Sequence, residues 1–193
     1  MDSRSDKILS FLKEISKFKH IEREIYLPEI NRKESDAEHS WHLAMFLILF
    51  EKELPKQMSL IKALKFALIH DLVEIYAGDT FAFDKTNRKT KKERELAAAK
   101  KLFSQLPADL EEEFASLFEE YENNDSSEAK IVHSFDKIQP ILQNISSDGW
   151  SWKKHKVTYE DLDSYKRKYM EHNAFLLKIY ESILEEARNK KLI

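Results

Sequence analysis

Glycine is nearly absent from this chain, which contains two glycines and four prolines in 193 residues. Both residue types commonly interrupt regular structure, because glycine readily adopts positive φ and proline fixes φ. Their scarcity favours long helices over a many-stranded sheet. Charged residues make up 35% and hydrophobic residues 42% of the chain, which suits amphipathic helices with solvated outer faces. We therefore predict an all-α, compact, single-domain helical bundle.

Apolar residues recurring at helical spacing predict about six or seven helices. Those that we place cover about residues 6–20, 35–54, 59–77, 89–106, 108–122, 126–145 and 159–190. We expect an irregular stretch at 21–36, a loop at 80–90 and a break at 146–157. Ser35 or Asp36 would cap the second helix, and Gly78 would end the third.

Composition also excludes several classes of protein. The chain has no cysteine, which excludes disulfides, thiolate nucleophiles and cysteine-ligated zinc. A formal net charge of -3 gives no overall basic field for a nucleic acid polymer. The longest apolar stretch, 43–50, is far too short to span a bilayer, and the polar start of the chain does not resemble a signal peptide. We expect a cytoplasmic protein with neither a membrane nor a nucleic acid polymer as its partner.

Several ionisable residues lie beside apolar residues on predicted helices, notably His39, His70, Asp71 and Asp136. His70 and Asp71 directly follow the apolar run 66–69, which should be core. Burying a carboxylate there costs about several kcal/mol unless it is paired or bound to a metal. Histidine and aspartate together form a normal ligand set for a divalent cation, provided that neighbouring helices bring the four side chains together.

Each of these signals also has a purely structural explanation. A lone His-Asp dipeptide is usually structural, and Asp136 could simply pair with Lys137. Glu74, one helical turn beyond His70, could be a solvated helix residue. His133 lies three residues before Asp136 on the same face and is a rival ligand. It is the order and context of these segments together that favours a functional site.

The ordered segments resemble a known family. They read Glu38-His39-Ser40, then His70-Asp71-x-x-Glu74-x-x-x-Gly78-Asp79-Thr80, then Glu128-Ala129-Lys130 through Asp136-Lys137. This pattern resembles the HD-domain phosphohydrolases, and within them the branch of the bacterial 5'-deoxynucleotidases and their eukaryotic HD-domain-containing relatives. The resemblance covers roughly residues 32–144. It implies one HD domain over 1–193, with a metal-site core at about 32–144 and a C-terminal helix at about 159–190 packing on it.

The resemblance also implies roles for individual residues. The implied ligands of one divalent cation, which would be Mn, Co, Fe, Mg or Zn, are His39, His70, Asp71 and Asp136. Glu74 would position or deprotonate the attacking water, and Asp79 would contact the sugar or the leaving oxygen. The expected substrate is a small phosphate ester, hydrolysed by metal-activated water as a (deoxy)nucleoside 5'-monophosphate. A phosphodiesterase or pyrophosphohydrolase acting on another nucleotide, and a non-catalytic metal-binding adaptor, are the alternatives.

The expected phosphate-binding group departs from the family pattern. The branch uses an arginine followed by an aromatic residue upstream of the first histidine, whereas residues 22–26 of this chain contain no such pair. Arg23 is our candidate for the phosphate, with Arg32 and Lys33 behind it. This departure affects the predicted nucleotide specificity more than the predicted hydrolase chemistry.

Three further features have both a functional and a structural interpretation. Trp150 and Trp152 would either stack on a base or anchor a loop on the bundle. The basic cluster 88–92 would either attract phosphate or form a solvated helix start. The apolar stripe of the last helix would form either the interface of a homodimer or intramolecular core.

Overall fold

The structure of the protein is a computed structural model that describes residues 3–193. Its α-helices are α1 Arg4–Ile15, α2 Asp36–Leu49, α3 Leu60–Ile69, α4 Glu74–Ala77, α5 Lys91–Phe103, α6 Ala108–Asn123, α7 Ser127–Ser146, α8 Trp150–His155, α9 Tyr159–Lys166 and α10 Ala174–Asn189. The predicted all-α class is therefore confirmed. The helices among the described residues outnumber the six or seven predicted helices, because two predicted helices are interrupted and one predicted break contains a helix. No helix among the described residues has the length and apolar character needed to cross a membrane.

The centre of the bundle is formed by α2, α3 and α7, which all pack against one another, and α10 packs on α7. Fully buried side chains on these helices include Leu43 and Leu47 of α2, Ala67 of α3, and Phe135 and Ile138 of α7. Helical periodicity explains this arrangement, since such apolar positions recur on one face of each helix. Two of the predicted ligands, His39 and Asp136, lie on α2 and α7, and the other two, His70 and Asp71, directly follow α3.

The stretch predicted to be irregular, 21–36, instead contains an antiparallel hairpin. Strand β1 covers Glu22–Leu27 and strand β2 covers Arg32–Ser35, with Tyr26 opposite Lys33. The register is irregular between Glu22 and Tyr26, as in a β-bulge. A tight turn with Asn31 at φ 52° joins the strands. The strands are short, and Pro28 interrupts their pattern, which explains why periodicity did not reveal them.

The third predicted helix, 59–77, is wrong as a continuous element. Helix α3 ends at Ile69, and the chain passes through a tight turn before α4 begins at Glu74. In this turn Leu72 N–H donates to Ile69 C=O at 3.0 Å and Glu74 N–H donates to Asp71 C=O at 2.9 Å. These i→i+3 bonds wind the backbone more tightly than an α-helix does. The turn therefore alters the directions in which consecutive side chains leave the backbone.

The C-terminal region also differs from prediction. The predicted helix 159–190 is interrupted between α9 and α10, because the side chain of Asn173 caps a new helix by accepting from Phe175 N–H and Leu176 N–H. The predicted break 146–157 contains α8, which begins after Gly149 at φ 69°. The second helix begins as predicted, since Ser35 and Glu38 form a capping box at the start of α2.

Candidate metal centre and substrate cavity

Three predicted ligands from three separate helices meet in the core. His39 lies in the first half of α2, His70 directly follows the last residue of α3, and Asp136 lies in the middle of α7. A ligand atom of each lies within 4.8 Å of those of the other two, and all three residues are buried. Two imidazoles and a carboxylate at this spacing form a suitable donor set for one divalent cation.

Hydrogen bonds at Nδ1 orient both imidazoles so that Nε2 faces the neighbouring predicted ligands. His70 Nδ1 lies 3.1 Å from the carbonyl oxygen of Ala67, which can only accept, so Nδ1 carries the proton. His39 Nδ1 lies 2.9 Å from Oε1 of Gln139, and His39 Nε2 lies 3.1 Å from Oδ1 of Asp136. His70 Nε2 is buried and makes no hydrogen bond of good geometry, although Oδ2 of Asp71 lies only 3.0 Å from it. Such an orphaned acceptor nitrogen is what a metal ligand requires, so these residues fit a bound cation.

Asp71, the fourth predicted ligand, adjoins this group. Its Oδ2 lies 3.0 Å from Nε2 of His70 and 2.9 Å from a guanidinium nitrogen of Arg23. Burial alone would raise the pKa of Asp71, but His70 and Arg23 lower it well below its usual range. Similarly, Lys137 and His39 outweigh the effect of burial and hold the pKa of Asp136 well below its usual range. Both carboxylates are therefore ionised at neutral pH and able to ligate a cation.

A second acidic group lies beside the first. Ligand atoms of Asp36, Asp71 and Glu74 lie within 4.8 Å of one another. Burial and the neighbouring carboxylates raise the pKa of Glu74 well above its usual value, and burial raises that of Asp36 to about 7. Glu74 Oε2 and Asp36 Oδ2 are buried without hydrogen-bond partners. The carboxyl group of Glu74 thus combines a raised proton affinity with an unused oxygen.

Asp79 reaches the same cavity through a glycine turn. Helix α4 ends at Gly78, whose φ of 75° and ψ of 146° are accessible to glycine but rarely to other residues. The turn brings Asp79 to line the cavity together with Glu74 and Asp71. Burial raises the pKa of Asp79, although the nearby Arg23 opposes the shift.

The predicted basic residues occupy different places. Arg23 lines the cavity from β1, and its guanidinium pairs with Asp36 at 3.1 Å as well as with Asp71. Burial would lower the pKa of Arg23, but these carboxylates raise it well above the usual value. Arg32 instead pairs with the partly exposed Glu38. Lys33 pairs with Glu24 at 2.8 Å, and Glu24 itself lines the cavity.

Aromatic side chains line the part of the cavity formed by the loop after Asp79. Phe81 and Phe83 contact each other edge to face with ring centroids 5.6 Å apart, and Phe83 contacts Tyr165 in the same way at 5.8 Å. Trp152 also lines the cavity and is almost fully buried. Trp150 instead stacks on Tyr26 at 5.1 Å and anchors α8 to the hairpin.

The structure also bears on the alternatives left open by the sequence. His133 Nε2 lies 2.9 Å from the carbonyl oxygen of Tyr121, and its ring stacks on that tyrosine, so this rival ligand is not among the residues whose ligand atoms converge. Lys91 is not a simple solvated helix start, because it lines the cavity and lies 3.5 Å from Glu74.

In the last helix, Leu176 and Tyr180 are fully buried, as expected for intramolecular core.

Sequence reasoning missed several supporting residues. Gln139 lies one helical turn after Asp136, is fully buried, accepts from His39 and donates to Glu34 at 2.7 Å. Its position on the same helical face as Asp136 was the available signal. Asp36 was considered only as a helix cap, because nothing local distinguishes a capping aspartate from one that binds a buried arginine.

Comparisons with known proteins agree with this geometry. A family model described as "HD domain" matches residues 15–177 of the chain. The chain is 32% identical over 137 residues to the 5'-deoxynucleotidase HDDC2 of Bos taurus, a match covering 70% of this chain and 65% of that protein. The corresponding protein of Dictyostelium discoideum is 33% identical over 141 residues, covering 70% of this chain and 74% of that protein. The matched part therefore spans slightly less than two thirds of the bovine relative.

Solved structures extend the similarity over the whole chain. A protein of Magnetospirillum magnetotacticum MS-1, described as a predicted metal-dependent phosphohydrolase, superposes with a TM-score of 0.92 at 35% identity. That match covers 99% of this chain and 96% of the other. A conserved hypothetical protein of Pyrococcus furiosus gives a TM-score of 0.63 at 27% identity, covering 94% of this chain and 99% of the other.

Proposed function

The chain belongs to the HD-domain family, and from this membership we propose that it is a metal-dependent phosphohydrolase acting on (deoxy)nucleoside 5'-monophosphates. The observation that carries the proposal is the convergence of His39, His70 and Asp136 from three helices beside Asp71 and an acidic cavity. The similarity to proteins named 5'-deoxynucleotidases supports the choice of substrate.

We propose that His39, His70, Asp71 and Asp136 hold one divalent cation, which would be Mn, Co, Fe, Mg or Zn. Mixed nitrogen and oxygen ligation suits these ions better than calcium. A cation bound there would supply Lewis acidity, making a water molecule nucleophilic near neutral pH and offsetting phosphoryl charge. Gln139 and the Ala67 carbonyl keep the two imidazoles in the tautomer that presents Nε2.

Glu74 is the proposed acceptor of the proton from the attacking water. Its carboxyl group has one buried, unpartnered oxygen and lies near Asp71. The raised pKa makes it a stronger base than an ordinary glutamate, as general base catalysis near neutral pH requires. Lys91, 3.5 Å away, favours the ionised form that accepts the proton.

The remaining predicted residues would bind the substrate. Asp79 would contact the sugar or the leaving oxygen, and Arg23 would balance phosphate charge while holding Asp71 in place. Arg32 and Lys33 remain predicted contributors, with their present partners in Glu38 and Glu24. Phe81 and Phe83 offer the aromatic surface on which a nucleobase would stack.

A substrate panel tests the proposed function directly. We expect the metal-supplemented protein to release inorganic phosphate from 5'-mononucleotides, and chelation to abolish turnover. Cyclic nucleotides and nucleoside polyphosphates serve as the competing diester and pyrophosphate substrates. Preference for a diester or a pyrophosphate would overturn the choice of bond, and absence of turnover with every metal would favour the non-catalytic adaptor.

We further propose a homodimer and a cytoplasmic location. The last helix supplies core, so the surface that best suits a dimer lies on α2 and α3. There Trp41 and Ile48, seven residues apart, are 63% and 47% exposed, and Ile61 and Leu68 are 72% and 52% exposed. Sedimentation equilibrium should give twice the chain mass of 22.9 kDa, whereas a single chain mass at micromolar concentration would contradict the dimer.

The proposed cytoplasmic location is compatible with the composition, because a fold without cysteine requires no oxidising compartment.

A further inference from the structure

Lys166, the last residue of α9, is a buried cation that the proposed mechanism does not use. Its residue surface is 5% exposed, and its side chain lines the cavity that also contains Asp71, Glu74 and Asp136. The ammonium group donates one hydrogen bond, to the carbonyl oxygen of Lys137 at 2.8 Å. A lysine ammonium has three N–H donors, so two remain available.

The other buried or half-buried cations of the cavity are already paired with carboxylates. Arg23 pairs with Asp36 and Asp71, and Lys137 lies 2.6 Å from Asp136. Lys91 pairs with carboxylates in the same way. Within residues 3–193, no carboxylate oxygen lies at ion-pairing distance from Lys166, although Asp136 is near enough to raise its pKa. A buried charge without a counter-charge is costly, and a bound anion would remove that cost.

We propose that Lys166 binds an oxygen of the substrate phosphate, an inference that rests on the proposed phosphohydrolase function. Lys166 is held by the carbonyl oxygen of Lys137, which directly follows the proposed metal ligand Asp136 on α7. This position favours a contact with the phosphate over a contact with the base. Burial and, to a smaller extent, the neighbouring Lys137 lower the pKa of Lys166 to about 7, although Asp136 opposes the shift. A bound phosphate oxygen would favour the charged ammonium and use its free donors.

A purely structural role makes a different prediction. In that case Lys166 would only tie α9 to α7 through the Lys137 carbonyl, and removing it would destabilise the fold without affecting anion binding. If Lys166 instead binds an anion, replacing it with an apolar side chain of similar length removes a buried charge that has no counter-charge in the ligand-free protein. Stability without ligand should then be retained or increased, while the response to phosphate is lost.

The test compares Lys166→Met with Lys153→Met, a control at an exposed lysine of α8. Thermal unfolding of the metal-loaded proteins is followed with and without inorganic phosphate. We expect phosphate to raise the Tm of the wild type and of the control, and the Lys166→Met shift to fall below half of theirs. A full phosphate shift in Lys166→Met, or no shift in the wild type, would overturn the proposal. A lower Tm of Lys166→Met without phosphate, combined with an unchanged shift, would establish the structural role.

Turnover provides a second, independent measurement. We expect Lys166→Met to raise KM by about 10-fold for a 5'-mononucleotide and equally for p-nitrophenyl phosphate, because both share the phosphate. A rise confined to the nucleotide would place the contact at the sugar or base and overturn the inference. If the wild type hydrolyses no phosphate ester, the proposed function fails, whereas the Tm measurement still decides whether Lys166 binds phosphate.

Discussion

Glu74→Gln lowers kcat by about 10²–10⁴-fold with little change in KM, the range expected when a general base is removed. Glutamine keeps the size of the side chain and can still form hydrogen bonds, but it cannot accept the proton of the attacking water. The buried position of Glu74 between Asp71 and Lys91 leaves little room for a replacement base. Steady-state kinetics on a 5'-mononucleotide with saturating metal measures the effect.

Glu95→Gln is a matched control for this variant. Glu95 is also a buried glutamate and contacts the same lysine, Lys91, at 3.1 Å, but it does not line the cavity that holds the predicted ligands. We expect Glu95→Gln to retain kcat within about twofold, since it leaves the general base in place. Equal losses in both variants would show that the loss arises from disturbing Lys91, and an unchanged kcat in Glu74→Gln would remove Glu74 from the mechanism.

Asp71→Asn lowers kcat/KM by about 10³-fold or more, because a cation contributes several kcal/mol of transition-state stabilisation and each 1.36 kcal/mol is tenfold in rate. The substitution preserves shape but removes the charge that pairs with Arg23 and that we propose binds the cation. Metal-saturated turnover measures the loss, and circular dichroism confirms that the helices persist. Asp109→Asn, which removes the exposed carboxylate that pairs with Arg4 on the surface, is the control and should retain full activity. An Asp71→Asn enzyme that keeps more than a tenth of the wild-type kcat/KM would contradict the role of Asp71.

The sequence predicted the helical class and most helix positions because apolar periodicity records which face of each helix is buried. It also indicated residues of the candidate metal centre, since His70 and Asp71 follow an apolar run and require a compensating charge. The structure brings His39 and Asp136 to within reach of His70, although they are separated by 97 residues along the chain. The local sequence pattern does not predict that these three side chains lie together, and only the family resemblance indicated it.

The parts that sequence reasoning missed depend on contacts distant along the chain. The hairpin that carries Arg23 into the cavity is too short to show a period, and its first strand packs against α7 and α8, which are distant along the chain. The turn between Ile69 and Glu74 interrupts the helix expected there, because its residues form i→i+3 bonds. Lys166 belongs to a helix with ordinary amphipathic spacing, and only its surroundings in the fold reveal a buried cation.

Metal binding tests the central claim most directly. The protein is stripped with a chelator, freed of the chelator and titrated with Mn²⁺ by calorimetry, alongside His70→Asn, which removes the buried Nε2 that we propose as a ligand atom. The four-residue centre predicts that the wild type binds one equivalent tightly, that phosphatase activity returns in proportion to the bound metal, and that His70→Asn loses both. Equal Mn²⁺ affinity in the two proteins, or full turnover by the stripped wild type, would contradict it.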